Sequence, residues 1–172
     1  ELGIIAGTHV GFASAVHEAI SCRSNRANPS FGTLCFRLCS NSLPNGDVPT
    51  DTGVCTDEII RSYRAVGVDL QKEVHEEIVL NFAAYPNQKR WGLDHPDSNI
   101  DHRRVPNLMV FFQRKGETLP ITKRATDYAP GDLVTWDLGR GVPHIGIVVD
   151  QKASWSDQYM VVHNIGAGPK ME

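Results

Sequence analysis

Long apolar runs are missing from this chain of 172 residues. No segment approaches the roughly 20 consecutive apolar residues that a bilayer-spanning helix requires. A dominant charge is missing as well. The 17 Lys and Arg residues nearly balance the 20 Asp and Glu residues, for a net charge of -3, and the cations are scattered. That pattern argues against nucleic acid as a partner. The chain has no paired Cys-x-x-Cys knuckles of the kind that mark zinc sites, and no two His at the helical i, i+4 spacing of a metalloprotease. It begins at Glu1 rather than Met, as a processed form would, so the lack of a leader peptide excludes no compartment. With 41% hydrophobic and 22% charged residues, the composition is that of a folded globular domain with an ordinary core.

Four cysteines are present. Cys22, Cys35 and Cys39 fall in the first 42 residues, where three thiols allow at most one internal pair. His17 with these cysteines is a weak metal reading, because the knuckle spacing is absent. His9 and His17 read as ordinary surface or half-buried residues. The stretch from Ile4 to Ile20 reads as a candidate helix, and residues 21–42 read as loop. The chain therefore divides into an N-terminal segment of uncertain structure, 1–42, and a domain spanning 43–172.

Cys55 stands in the most informative stretch. Pro44, Asn45, Gly46, Pro49, Asp51 and Gly53 break regular structure just before it. After it, Ile59, Ile60, Tyr63 and Val66 recur at helical spacing, Thr56, Asp57 and Glu58 suit a first turn, and Gly67 suits a left-handed stop. A cysteine at this junction meets unsatisfied N–H groups and the positive end of the helix dipole, which favour a thiolate. A buried hydrophobe is the bland alternative for a lone cysteine.

A second helix is expected over about Leu70 to Ala84, on a stripe of Leu70, Val74, Ile78 and Phe82, with His75 structural. Residues 86–107 read as a long polar connection carrying Asp94-His95 and Asp101-His102. These invite a metal-hydrolase reading through His95, Asp101 and His102, although a hydrogen-bonded loop with Arg103 and Arg104 pairing acidic neighbours fits the sequence better. A short apolar helix follows, Leu108 to Gln113. Strands are expected at Asp132–Leu138, His144–Asp150 and Tyr159–Ile165. Two-residue alternation puts His144, Gly146 and Val148 on one face, and Tyr159, Val161, His163 and Ile165 on one face of the next strand. A return strand would bring His163 alongside His144.

A helix-borne thiol, a strand-borne imidazole and a polar group on the next strand are the parts of nucleophilic acyl transfer. Pro130-Gly-Asp-Leu-Val134, His144-Ile-Gly-Ile-Val-Val149 and Val161-Val-His163 resemble the core strands of NlpC-type papain-like cysteine peptidases. Pro44-Asn-Gly-Asp-Val-Pro49, Gly53-Val-Cys-Thr-Asp57 and Asn99-Ile-Asp-His-Arg-Arg-Val-Pro-Asn107 resemble signatures of a bacterial branch known only as a domain of unknown function. The resemblance covers residues 43–169. It implies an α+β papain-like fold, a Cys-bearing helix packed on an antiparallel sheet, and cofactor-free, metal-free hydrolysis of amide bonds. The typical substrate is a peptidoglycan stem peptide, outside the cytoplasm. By position, Cys55 is the nucleophile, His144 the base and acid, and His163 the orienting residue, with Asn164 as the alternative that only strand register decides. Asp57, Asp101, His102 and Arg103 are candidate substrate-binding residues.

Two departures stand out. Thr56-Asp57 replaces the usual Ser-Gly after the cysteine, which would raise the thiol's pKa or offer a carboxylate to a substrate amine. No Tyr or Gln stands clearly upstream to complete an oxyanion hole, leaving the Cys55 N–H as one donor. A papain-like domain that has lost activity and only binds cell wall or a protein partner is the alternative from another class.

Overall fold

The protein is described by a computed structural model covering the backbone of residues 3–6 together with residues 42–49 and 52–172. Cys22, Cys35, Cys39, His9, His17 and most of the candidate helix before Ile20 lie outside these residues.

Helix α1 runs from Cys55 to Ala65 and is stopped by Gly67 at φ 87°. Its apolar residues Ile59, Ile60 and Tyr63 are buried, and so are Thr56, Asp57, Glu58, Arg61 and Ser62 between and beside them. A helix covered on nearly every side must satisfy its polar groups internally. Arg61 does so by gripping the lead-in loop: its guanidinium donates to Asp47 at 2.9 and 3.0 Å and to the carbonyls of Val48 and Thr52 at 3.1 and 3.2 Å. Gly53, at φ 136°, lets that loop approach closely, since a Cβ there would meet the Asp57 side chain at 3.3 Å.

Helix α2 spans Leu70–Asn81, capped by Asp69, with Leu70, Val74 and Ile78 buried; the expected last turn is a separate 3-10 turn, Phe82–Ala84. The polar connection is more ordered than its composition suggests. It holds a short helix α3, Asn87–Trp91, and a 3-10 turn, Asp101–Arg103. Helix α4 covers Val105–Lys115, beginning before the expected Leu108, because Pro106 fits a first turn where its missing N–H has no partner to lose. Val105, Leu108, Phe111 and Phe112 are its buried face.

Among the described residues, six strands form one antiparallel sheet in the order β2-β1-β3-β4-β5-β6. They are β1 Gly3–Ala6, β2 Glu117–Leu119, β3 Leu133–Asp137, β4 Pro143–Lys152, β5 Tyr159–His163 and β6 Lys170–Met171. Strand β1 corrects one expectation. Residues 3–6 are extended rather than helical, and they pair with both β2 and β3. The sheet therefore also includes residues of the N-terminal segment. Helices α1, α2 and α4 share one core with Ile145, Ile147 and Val149 of β4. His144, Gly146 and Val148 alternate onto the other face and are buried as well. The result is a mixed α+β architecture whose central strand is covered on both sides.

Candidate functional site: a cysteine beside a histidine pair

Cys55 is the first residue of α1 and is 7% exposed. Its sulfur meets the backbone N–H groups of Ile145, Thr56 and Cys55 itself, which favour the thiolate, yet burial is the larger effect and pushes the thiol up to about 11. The expectation of a thiolate is thus reversed: desolvation outweighs the helix N-terminus. Asp57 adds a smaller push in the same direction.

Asp57 and Arg103, expected at the substrate, are instead bound to each other. Arg103 Nε and Nη2 donate to the two Asp57 carboxylate oxygens at 2.9 and 3.0 Å, and Val54 N–H donates to the same carboxylate at 2.8 Å. Asp57 thereby closes the N-terminal turn in front of Cys55, with both carboxylate oxygens engaged by the protein. Asp101 is fully buried, accepting from Asp97 N–H and paired with His75 Nδ1, both at 2.9 Å. Burial raises its pKa despite those partners. His102 is 2% exposed, and burial pushes its imidazole down to about 4. Its Nδ1 has no hydrogen-bond partner among the described residues. Both side chains are sealed from a ligand arriving from solvent. His95 lies on the surface against Asp94, far in character from the buried Asp101 and His102, so the three do not form one ligand set. Among the described residues no three His, Cys, Asp or Glu side chains group as a metal site.

The histidine pair forms as alternation requires. His144 Nε2 lies 2.9 Å from His163 Nδ1, with both residues buried. Asn164 takes another role, its Oδ1 accepting from Gly166 N–H at 2.7 Å. Register decides this: β5 pairs Val161 with Val148 and Val162 with Ile147, which turns His163 toward the Gly146 face and Asn164 away. Gly146 makes the approach possible, because a Cβ there would fall 2.5 Å from Val161 Cγ1 and 3.1 Å from the Trp136 ring. Burial pushes His144 down to about 4, and the neighbouring His163 imidazole acts in the same direction. What ties Cys55 to this pair is backbone, since Ile145, whose N–H meets the sulfur, directly follows His144.

Two neighbours escaped the sequence reading. Trp136 faces His144 across the β3–β4 register and packs edge-on against both imidazoles, at 4.6 and 5.3 Å between ring centroids. Alternation within β3 was the available signal for it. Glu172 Oε1 lies 2.7 Å from His163 Nε2. No sequence pattern pointed there, because β6 is only two residues long. A groove of about 380 Å³ opens where β3 ends and β4 begins, lined by Trp136, Asp137 and Pro143 together with Arg90 and Met109.

Fold and site together define an α+β protein built around a buried thiol and a buried imidazole pair. Residues 36–172 match the family described as Domain of unknown function (DUF1287), and the chain belongs to that family. It is similar to the uncharacterized protein YijF of Escherichia coli (strain K12), with 52% identity over 131 residues, which are 76% of this chain and 62% of YijF. The chain thus spans less than two thirds of that relative's length. No solved structure matches it.

Proposed function

We propose that this protein is a papain-like cysteine hydrolase that cuts amide bonds, with bacterial peptidoglycan stem peptides as substrate and an extracytoplasmic workplace. The observation that carries the reading is the 2.9 Å contact between His144 Nε2 and His163 Nδ1, on the strand whose next residue, Ile145, holds the Cys55 sulfur. That contact occupies one nitrogen of His144, and the other, Nδ1, takes up the thiol's proton in this reading. As Sγ bonds the carbonyl carbon, its proton passes to His144 and the oxyanion forms. His144 then protonates the leaving amine as the C–N bond breaks, and water attacks the thioester to free the acid and restore the thiol. A thiol raised to about 11 and an imidazole lowered to about 4 imply that proton transfer accompanies attack, without a standing thiolate. The Cys55 N–H at the start of α1 is the oxyanion donor assigned here. Substrate contact falls to the groove beside Trp136, whose Arg90 offers a cation to a peptide carboxylate.

Digestion of purified peptidoglycan by the wild type and by Cys55→Ala tests this. New stem-peptide fragments from the wild type alone support it. Absence of fragments from both folded proteins overturns it. A second reading draws on one observation, the burial that holds Cys55 protonated. It makes the domain an inactive papain-like fold that binds cell wall or a protein partner. Sedimentation of both proteins with peptidoglycan, without cleavage, is its expected signature.

A further inference from the structure

We infer that Glu172 is a positioning residue that sets the tautomers of both histidines and so keeps His144 Nδ1 free of a proton. The argument runs through hydrogen-bond polarity. A carboxylate only accepts, so the 2.7 Å contact with Glu172 Oε1 places a hydrogen on His163 Nε2. In a neutral ring the other nitrogen, His163 Nδ1, is then an acceptor. The 2.9 Å contact from that nitrogen to His144 Nε2 requires the latter to donate. With its one hydrogen on Nε2, neutral His144 presents a bare Nδ1. Its depressed pKa agrees with a neutral ring. One carboxylate thereby orders two successive imidazoles, each fixing the nitrogen of the next.

Glu172 is held for this task by its backbone, although its side chain is 65% exposed. Its N–H donates to Val161 O at 3.1 Å, and its carbonyl accepts from Val161 N–H at 2.8 Å. Replacing the side chain leaves both bonds in place. The part of the inference that concerns the sulfur rests on the hydrolase reading above, whereas the tautomers themselves do not.

Long-range proton–nitrogen NMR on protein labelled with 15N-histidine reads each ring nitrogen directly, with His144→Gln and His163→Gln supplying the assignments. At about pH 8 the wild type is expected to show protonated Nε2 and bare Nδ1 at both His144 and His163. In Glu172→Ala the His163 signals are expected to lose this single state, and His144 Nδ1 to move toward the protonated shift. Backbone spectra of Glu172→Ala that retain the Val161 cross-strand pattern separate this loss from unfolding. A wild type with a protonated His144 Nδ1, or a Glu172→Ala protein whose four nitrogens are unchanged, overturns the inference. The expected tautomers in a protein that cuts no peptidoglycan would instead remove only the hydrolase reading.

Discussion

The Arg103 guanidinium lies against the Asp57 carboxylate in a two-pronged pair, 2.9 and 3.0 Å long, with both side chains under a tenth exposed. It connects the polar connection to the first turn of the helix that starts with Cys55. Arg103, Asp57 and Asp47 come from three separate sequence signatures; Arg103 and Asp57 meet at the first turn of α1, and Asp47 binds Arg61 further along the same helix.

Breaking such a buried pair from one side leaves an uncompensated charge. Arg103→Ala is expected to destabilise the fold by about 3–5 kcal/mol, measured by urea unfolding. Arg103→Lys should recover little, because an ammonium cannot reproduce the planar two-pronged contact.

Cys55 is expected to react slowly with iodoacetamide near neutral pH, its rate climbing as the pH nears the raised value of about 11. A labelling profile with its midpoint below pH 7 would show that the backbone N–H groups at the helix start outweigh burial.

Acid should unfold this protein in a defined window. His144 and His102 are both pushed down to about 4 from 6.5 by burial. The folded state holds them neutral while the unfolded state takes up protons, so their stabilisation is full above pH 6.5 and is lost as the pH falls toward 4. At about 1.4 kcal/mol per unit, the two together account for several kcal/mol. Thermal melts between pH 7 and pH 4 should fall steeply, and His102→Phe should flatten part of that slope.

Gly146→Ala is expected to destabilise by roughly 1–3 kcal/mol or more. Its Cβ would meet the Val162 carbonyl at 3.0 Å and Val161 Cγ1 at 2.5 Å, and the carbonyl belongs to the paired strand. The variant should also lengthen the His144–His163 contact, seen as changed imidazole signals.

The local parts of this structure could be read in advance because local chemistry specifies them. The breakers before Cys55, the stripe of Ile59, Ile60 and Tyr63, and the stop at Gly67 gave α1 its bounds to within a residue. Alternation put His144 and His163 on facing sides of adjoining strands, as their contact shows. The partners of Asp57, Asp101 and His102 could not be read, since their polarity suggested exposure to a ligand, whereas the pairing of Arg103 and Arg104 with carboxylates was legible and falls on Asp57 and Asp101. Only folding reveals that Asp57 meets Arg103 and that Asp101 meets His75.

Periodicity, capping residues and turn formers act over a few positions, and by themselves they determined helices α1 and α2, strands β3 to β5 and the face each side chain takes there. Strand order, the insertion of β1 between β2 and β3, and the reach of Glu172 to His163 depend on pairing between distant segments. So does the protonation of Cys55, where the sequence offered a helix N-terminus but burial between α1 and β4 decided the outcome. Desolvation depends on everything that surrounds a group, and that is settled only when the chain has closed around it.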